Sequence, residues 1–523
     1  ELEDNRAIAQ VNLTLNYPGP KPEDVEMELQ LVPENFPGEP SAPLRGKHRL
    51  RPGINHLQFN LEQTAPKLWW TWEHGAPNLY RLRLSVEKSG QILDQTTSVF
   101  GFRSINFDPE EQIWRLNGKR LFLRGTNYIA SQWLSEMTEE KYSFDIGLMK
   151  QANINTVRVH AHIAAQSFYQ LCDRAGLLVW QDFPLQWGYT DDPTFAKEAI
   201  RQGRDMINLL YNHPAIIAWS LHNEPPWDAD WMKYKYKTYN PEQNRKLDQT
   251  LFAGLKDFDP TRHLHEASIV AEHPWWGWYS NTFEKYAEPT DQPLITEFGA
   301  QALPDERSLR HIFTAAELWP DTEAEWAKWE YHNFQRHETF EIAQVPMGNN
   351  TQEFIDNTQQ YQANLIKFAA EAYRRQRFQP VSAAFQFMFV EDWPSLNWGI
   401  VDYWRNLKPG YAALQLAYQP VLPSIAATQQ AWQLGEEINL DLWLINDLWQ
   451  SFPEAKLTYT WEHNSTIVQA GQLAVDIAAD SGAKVETLAY QPQQVGDYKL
   501  VVKLNNSKGE FLSQNTFSLT IIP

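Results

Sequence analysis

The sequence predicts a multidomain α/β plus all-β protein in which a (β/α)₈ TIM barrel is flanked by two immunoglobulin-like β-sandwiches. Three observations predict this arrangement. At 523 residues, the chain is too long for a single hydrophobic core. Residues 1–103 and 421–523 alternate apolar and polar side chains with the period of two that half-buried strands have. Residues 104–420 instead alternate short apolar runs with helical patterns, as the strands and helices of a barrel do.

The two outer regions are predicted to be sandwiches. In the first region, the segments that alternate are residues 25–32, 56–62, 79–86 and 92–99, and the last two form the arms of a hairpin. About seven short strands in about 100 residues are typical of an immunoglobulin-like domain. In the second region, the segments that alternate are residues 438–444, 457–461 and 497–504.

Apolar runs in the central region are candidate barrel strands, and helical patterns lie between most of them. The candidate strands are residues 121–125, 156–160, 177–181, 215–221, 264–267, 275–279, 294–297 and 382–387. The helical patterns include residues 142–151, 166–175, 195–211 and 243–258. Residues 304–360 are too long for a plain loop and predict a helical insert over the barrel mouth.

Composition narrows the class of protein. The formal net charge of −20 argues against nucleic acid or an anionic membrane as a partner. Cys172 is the only cysteine, so no intrachain disulfide can form and no thiolate metal site is expected. The 23 tryptophans fit a carbohydrate site, where indole rings stack on sugars, or the packing of a large core. The chain begins at Glu1 without a signal-like stretch, and we interpret it as processed or trimmed. The sequence does not indicate a cellular compartment.

Two carboxylates carry the chemical prediction. Glu224 follows the fourth candidate strand, and Glu297 ends the seventh. Barrels keep their chemistry at the carboxyl ends of the strands, so the two side chains are expected to face each other there. An opposed pair of carboxylates is what cleavage of a glycosidic bond requires. We therefore predict a sugar-cleaving enzyme with Glu224 as acid/base and Glu297 as nucleophile, and with Asn223 on the sugar 2-hydroxyl.

Further motifs make the chain resemble glycoside hydrolase family 2, which holds β-galactosidases, β-glucuronidases, β-mannosidases and exo-β-glucosaminidases. The segments that carry the resemblance are Leu68-Trp-Trp, Pro77-Asn-Leu-Tyr, Phe100-Gly-Phe-Arg, Leu116 to Asn127, Phe168 to Asp182 and Asn212 to Pro225. The resemblance covers nearly the whole chain and implies a retaining mechanism with the same roles for Glu224 and Glu297. Members of the family normally carry an N-terminal jelly-roll domain, which is expected to be removed, on another chain, or absent from this member.

A stretch near the last strand indicates the sugar. The β-glucuronidase pattern has an Asn-X-Lys element there, whereas this chain has Asn397 and Trp398 where lysines would be expected, which speaks against a glucuronide. Asp392-Trp-Pro and Trp180-Gln-Asp-Phe are more similar to the β-mannosidase and exo-β-glucosaminidase branch. By that resemblance, Trp393 forms an aromatic wall beside the sugar, with a place in the barrel core as the alternative.

Two departures from the family pattern affect predicted substrate contacts. Arg158 matches, but His160-Ala-His162-Ile stands where galactosidase-like members carry Ser-His-Tyr-Pro and mannosidases carry a Trp and a glycine run. His160 and His162 would point the same way if they continued the strand, to contact sugar or to pack; without a third ligand they predict no metal site. Glu391 stands where mannosidases usually have Asn, and is expected to recognise a substrate ammonium or to face solvent.

The segment His273-Pro-Trp-Trp-Gly-Trp-Tyr279 on the sixth candidate strand is similar to a Tyr/Trp-Gly-Trp-Tyr segment of the family. The resemblance implies that either Trp276 or Tyr279 hydrogen-bonds or orients Glu297. Spacing does not decide between the two.

The leading hypothesis is a retaining, exo-acting β-glycosidase for a neutral or amino sugar, with a carbohydrate substrate as its partner and with no cofactor or metal. A β-galactosidase is a second possibility, weakened by the absent Ser-His-Tyr-Pro. A non-catalytic carbohydrate-binding or scaffold protein is the alternative from another class, because a fold alone does not guarantee activity. The joint presence of Asn223, Glu224 and Glu297 argues against it, since a binding protein has no need for two opposed carboxylates.

Overall fold

A computed structural model describes residues 2–3 and 5–523 and confirms the predicted fold class, a parallel barrel with antiparallel sandwiches on either side. The strands of the first region are β1 (Leu2–Glu3), β2 (Arg6–Tyr17), β3 (Glu23–Pro33), β4 (Leu44–Leu50), β5 (Gly53–Thr64), β6 (Tyr80–Lys88) and β7 (Gln91–Phe100). They form two antiparallel sheets with strand orders β1-β2-β5 and β4-β3-β6-β7. Side chains alternate along β3, so that Val25, Met27, Leu29 and Leu31 lie in the core between the sheets.

A small antiparallel sheet leads from this sandwich into the barrel. Its strands are β8 (Ile105–Asp108), β9 (Ile113–Leu116) and β10 (Lys119–Leu121). The barrel strands are β11 (Leu123–Tyr128), β12 (Thr156–Val159), β13 (Leu178–Asp182), β14 (Ile216–Ser220), β15 (His263–His265), β16 (Leu294–Phe298) and β17 (Ala383–Gln386). In the described part of the chain they pair in parallel in the order β15-β14-β13-β12-β11-β17-β16. Except in β15, every residue of these strands is buried, as expected where helices cover the outside and side chains fill the inside.

The sixth candidate strand is wrong. Residues 275–279 form a turn, in which the backbone N–H groups of Trp278 and Tyr279 both donate to the Trp275 carbonyl, at 3.1 and 3.0 Å. Trp275 has a φ of 47° and Gly277 a φ of 79°, and an extended strand accommodates neither value. The sheet is consequently open between β15 and β16, and this aromatic turn occupies the gap in sequence.

The helices follow the predicted ones closely in the first half of the barrel. They are α1 (Glu139–Gln151), α2 (Gln166–Ala175), α3 (Pro193–Leu210), α4 (Met232–Lys235), α5 (Arg245–Leu255), α6 (Glu306–Leu309), α7 (Glu323–Tyr331), α8 (Thr351–Arg375) and α9 (Pro409–Ala417). Their ends have local causes. Asp192 caps α3 by accepting from the Thr194 N–H and Pro193 supplies the first helical φ, while α2 ends at Gly176 with a φ of 69°.

Residues 304–360 contain α6, α7, a π-helical turn at Glu338–Ile342 and the start of α8. Most members of a separate apolar cluster belong to this segment. The buried members of the cluster are Leu303, Leu309, Phe313, Leu318, Trp326, Trp329, Phe334, Phe354, Ile355 and Leu396. Hydrogen bonds link the segment to the aromatic turn, because Gln335 accepts from the Trp278 indole at 2.7 Å and donates to the Tyr279 hydroxyl at 3.0 Å.

The last region forms a second sandwich. Its strands are β18 (Val421–Ala426), β19 (Ala431–Gln433), β20 (Ile438–Asn446), β21 (Phe452–His463), β22 (Thr466–Ile477), β23 (Ser481–Tyr490), β24 (Gly496–Asn505) and β25 (Phe511–Ile522). The strand orders of its two sheets are β18-β20-β23 and β19-β25-β24-β21-β22. No helix among the described residues combines the length and the apolar character needed to cross a membrane.

A buried carboxylate joins the three regions. Asp447, just after β20, is paired with Arg124 of β11 at 2.6 Å and with Arg374 of α8 at 2.8 Å, and Arg377 lies at 3.3 Å. Arg124 also pairs with Glu73 of the first sandwich. Burial raises the pKa of Asp447, but the three arginines outweigh burial and lower it to about 2.

Replacing Asp447 by Asn should lower the free energy of unfolding by about 3 kcal/mol, because it leaves the buried guanidinium of Arg374 without its counter-charge. Ionised Asp447 stabilises the fold fully above the usual carboxyl pKa of 3.8, and this stabilisation is lost as the pH falls through about 2. Urea unfolding of the two proteins measures the difference. Asp441→Asn is the control, since that carboxylate pairs with Lys484 at a half-exposed site and should contribute less than about 1 kcal/mol. Equal losses in both variants would contradict the role of Asp447.

Candidate active site

Glu297 lies inside β16 and is 5% exposed. Its carboxylate accepts a hydrogen bond from Nη1 of Arg158 at 2.9 Å. The chain turns away immediately afterwards at Gly299, where a Cβ atom would lie 2.2 Å from the carbonyl oxygen of Phe387. The close approach of these two backbones holds the end of β16 against the segment after β17, and with it the position of Glu297.

Arg158, on β12, is completely buried and donates hydrogen bonds to four side chains. Its guanidinium donates to Asp182 at 3.2 Å, to Asn127 at 3.2 Å, to Asn223 at 2.7 Å and to Glu297. Burial lowers the pKa of Arg158, but the charges of Asp182 and Glu297 outweigh burial and raise it. Arg158 is therefore a fixed positive charge that keeps Glu297 oriented.

Glu224 lies four residues beyond the end of β14 and has a φ of 47°. Backbone hydrogen bonds hold this turn, from Asn223 N–H to the Leu185 carbonyl at 2.9 Å and from Glu224 N–H to the Ser268 carbonyl at 3.0 Å. The left-handed conformation is uncommon for Glu and persists only where the surroundings impose it. Its side chain is 13% exposed, so the carboxylate is reachable from the barrel mouth.

His273 stands between the two carboxylates. Its Nδ1 lies 2.9 Å from Oε1 of Glu224, and its Nε2 lies 3.7 Å from Oε1 of Glu297. Nε2 also lies 2.8 Å from Oγ1 of Thr296, whose hydroxyl donates to Glu272 at 3.1 Å. Because the Thr296 hydroxyl proton is committed to Glu272, its oxygen accepts from Nε2–H of His273. Nδ1 is then the nitrogen that exchanges a proton with Glu224.

The charges of this group shift two pKa values in opposite directions. Burial raises the pKa of Glu224, but the hydrogen bond and charge of His273 and the Trp187 N–H outweigh burial and lower it. Burial lowers the pKa of His273, but the charges of Glu297 and Glu224 outweigh burial and raise it. In the free protein, the proton of the Glu224–His273 pair therefore rests on the imidazole.

The ligand atoms of Glu224, His273 and Glu297 all lie within 4.8 Å of one another. Three such atoms could surround a metal ion, but the described contacts are those of a proton-sharing group. Both nitrogens of His273 already have hydrogen-bond partners, and the guanidinium of Arg158 at 2.9 Å from Glu297 would repel a cation.

The other oxygen of Glu224 accepts a hydrogen bond from the indole Nε1 of Trp187 at 3.2 Å. Sequence reasoning missed Trp187, His273 and Asp182 as site residues. Asp182 ends β13, so the rule that identified Glu297 could have found it. Trp187 lies in the loop after β13, where no spacing distinguishes it from other tryptophans.

Arg158 and Asn223, two of the predicted substrate contacts, lie beside the carboxylates, and His160 is close by. Nδ1 of His160 lies 3.2 Å from Asp182, and the ring meets Phe387 edge-on at 5.6 Å. β12 ends at Val159 and Ala161 has a φ of 53°, so the side-chain alternation of a strand does not extend to His160 and His162.

The aromatic turn presents different residues from those expected. Trp276 packs against Tyr286 at 5.2 Å, with the Lys285 ammonium over its ring at 5.4 Å. Tyr279 is 44% exposed, and its ring meets that of Trp275 edge-on at 5.4 Å. In the described residues, neither Trp276 nor Tyr279 hydrogen-bonds Glu297, and the residue of this segment that approaches it is His273.

Glu391 does not face solvent. It is 1% exposed and accepts from Nζ of Lys408 at 2.8 Å, from the Gly399 N–H at 3.1 Å and from Ser395 Oγ at 3.2 Å. Burial raises the pKa of Glu391 to about 7, although Lys408 opposes this shift. Because the Glu391 carboxylate is already paired with the Lys408 ammonium, it is not positioned to bind the ammonium group of a substrate.

Trp393 is half-buried and stacks on His332 of the 304–360 segment, with ring centroids 5.3 Å apart. The ring also meets Tyr331 edge-on at 6.1 Å. No hydrogen bond or ring contact of the described residues joins Trp393 to the carboxylates. Whether it forms a wall beside the sugar stays a prediction.

A barrel with paired carboxylates at its mouth is the arrangement that glycoside hydrolases have. The family profile "Glycosyl hydrolases family 2, TIM barrel domain" matches residues 109–365, and the profile "Glycosyl hydrolases family 2" matches residues 1–103. The chain belongs to glycoside hydrolase family 2.

Similar proteins include members with named activities. Beta-mannosidase B of Emericella nidulans is 25% identical over 474 residues, which are 81% of this chain and 56% of that protein. The structure of the beta-D-mannosidase from Dictyoglomus thermophilum has a TM-score of 0.83 at 23% identity and covers 99% of this chain and 65% of its own. The exo-chitosanase of Amycolatopsis orientalis has a TM-score of 0.77 at 15% identity, with 99% and 62% covered. The chain thus spans about half the length of the curated relatives it matches.

Replacing His273 by Gln should raise the pKa of Glu224, because burial then acts without the opposing imidazolium. Titration of carbon-13-labelled glutamate carboxyls by NMR measures the shift, with Glu224→Gln to assign the resonance. His263→Gln is the matched control, since His263 is a half-buried histidine that packs on Trp114 and Trp180. An unchanged Glu224 titration in His273→Gln would contradict the proton-sharing arrangement.

Proposed function

We propose that this protein is a retaining, exo-acting β-glycosidase. The observation that carries the proposal is the separation of its two carboxylates, because an oxygen of Glu224 lies within 4.8 Å of one of Glu297. Retaining glycosidases hold their carboxyl groups about 5–5.5 Å apart, whereas inverting ones need about 6.5–9.5 Å to admit a water molecule. The short separation favours direct attack by one carboxylate over attack by an interposed water.

In the first step, a carboxylate oxygen of Glu297 attacks the anomeric carbon while Glu224 protonates the leaving oxygen. The bond from carbon to the leaving oxygen breaks, and an ester between the sugar and Glu297 forms. Arg158 supports this role because its fixed positive charge keeps Glu297 ionised and pointed into the mouth.

Glu224 acquires its proton from His273 across the 2.9 Å contact. A bound substrate displaces water, and a neutral acid beside a neutral imidazole then costs less than a buried ion pair. The proton is therefore on Glu224 before the leaving oxygen departs. Ester formation then removes the negative charge of Glu297, which had raised the pKa of His273, so the imidazole stays neutral while Glu224 gives its proton to the leaving oxygen.

In the second step, Glu224 acts as a base. It removes a proton from a water molecule, which attacks the anomeric carbon and releases Glu297 from the ester. Two displacements at the same carbon restore the original configuration. Asn223 contributes through its amide N–H group, because its oxygen is already occupied by Arg158. That N–H group can bind the sugar 2-hydroxyl, an interaction that strengthens in the transition state.

We propose a β-mannoside as the first candidate substrate and a β-glucosaminide as the second. The similarity to proteins named beta-mannosidase supports the first. The second is supported by the fold of the exo-chitosanase, but Glu391, the residue that favoured an amino sugar, is paired with Lys408.

The direct test is release of 4-nitrophenol from its β-linked mannoside, galactoside, glucoside, glucosaminide and glucuronide. The β-mannoside should be hydrolysed fastest. Glu297→Ala should lower kcat by about 10³-fold or more, since the nucleophile is lost.

Glu330→Ala is the matched control, because Glu330 is half exposed on α7 and should leave kcat unchanged. External azide should restore part of the Glu297→Ala activity by replacing the missing carboxylate, which also shows that this variant is folded. Glycoside hydrolysis that survives in Glu297→Ala would contradict the assigned nucleophile. If the parent chain is folded and hydrolyses none of the five glycosides, the carbohydrate-binding alternative would be favoured.

A further inference from the structure

Trp187 lies beside Glu224, the proposed acid/base, and its backbone adopts a strained conformation that neighbouring residues must stabilise. Its φ is 68°, in the left-handed region that tryptophan rarely adopts. The backbone is held there by a hydrogen bond from its N–H to the Asn223 carbonyl at 3.0 Å and by Nε2 of His222, 2.7 Å from its own carbonyl. His222 is fixed in turn by Asp248 at 2.7 Å. Strain that the surroundings maintain at such a point indicates a functional placement.

The indole of Trp187 has an edge and a face with different partners. The edge donates through Nε1 to Oε2 of Glu224, while His273 occupies Oε1 of the same carboxylate. Trp231 meets the ring edge-on with centroids 5.7 Å apart. The ammonium of Lys235 lies 3.6 Å from the ring centroid, so a flexible side chain of this protein occupies the aromatic face.

The acid/base must touch the oxygen that leaves, so groups bonded to that oxygen lie next to Glu224. Trp187 binds the oxygen of Glu224 that His273 does not hold, and its ring offers a broad apolar surface. The apolar face of a sugar ring packs well on an indole. A cation over an aromatic ring at a partly exposed site is held weakly, so a substrate can displace it.

We propose that the Trp187 face is the leaving-group site, that it takes the pyranose ring of a neutral sugar, and that Lys235 covers it in the free protein. The proposal rests on the proposed function and deepens it, because it assigns the chemistry on the far side of the bond that is cleaved. Substrates with a second sugar ring gain the stacking contact, and they must first move Lys235 aside.

The test compares a disaccharide with the methyl glycoside of the same cleaved sugar. Both leaving groups are alcohols, so the ratio of their kcat/KM values reports on the second ring alone. Trp187→Ala should lower this ratio between about twofold and tenfold. Trp187→Phe should keep most of it, since an aromatic face remains. Lys235→Ala should raise the ratio about twofold or more, because the face is then uncovered.

Loss of the Trp187 N–H affects both substrates equally and cancels in the ratio. Tyr234→Ala is the matched control, since Tyr234 adjoins Lys235 on α4 and is 84% exposed, and the ratio should not change. An unchanged ratio in Trp187→Ala would overturn the site, and a lower ratio in Lys235→Ala would overturn the covering role. Hydrolysis of the methyl glycoside by the parent protein tests the proposed glycosidase function separately. If the parent does not hydrolyse it, both the proposed function and the leaving-group site would be contradicted.

Discussion

Two carboxylates within 4.8 Å of each other repel strongly in a buried barrel mouth, and the positive charges of Arg158 and His273 make the pair possible. Arg158 carries a permanent charge and fixes the orientation of Glu297. His273 can release its proton, and in the proposed mechanism this lets Glu224 alternate between acid and base. Arg158 and His273 differ in this way because a guanidinium does not release its proton in a protein, whereas an imidazole does.

Several residues around the barrel mouth that hold this arrangement have left-handed backbone conformations. Ala161, Trp187, Glu224 and Trp275 all have φ values between 47° and 68°. These residues follow different strands or belong to the aromatic turn, and each such conformation costs about 1–3 kcal/mol. A fold that carries this strain at its mouth needs stability elsewhere. The fully buried strands provide it.

Much of the fold could be predicted, because it depends on periodicity. Alternation by two identified the sandwiches, and apolar runs between helical patterns identified the barrel. Glu224 and Glu297 could be picked out because a carboxylate at, or a few residues after, the end of a buried strand is conspicuous. The turn at residues 275–279 could not, since its aromatic residues read as a strand while Trp275 and Gly277 adopt left-handed conformations.

The remaining site residues depend on contacts that sequence spacing does not reveal. His273 meets Glu224 across 49 positions, and Trp187 meets it across 37. Glu391 was expected to meet substrate or solvent because its partner Lys408 lies 17 positions away, beyond any helical or strand repeat. Charge pairing of this kind is decided by how the loops after β17 pack, which no local pattern encodes.

We propose that the sugar becomes covalently bound to Glu297 during the reaction. The most direct measurement uses a 2-deoxy-2-fluoro β-mannoside with a good leaving group, which slows both steps but the second more, followed by mass spectrometry of the intact protein and its peptides. We expect one added fluorosugar per chain, on the peptide that contains Glu297, and none in Glu297→Ala. A label on Glu224, or turnover of the mannoside without any covalent species and with inverted product, would contradict it.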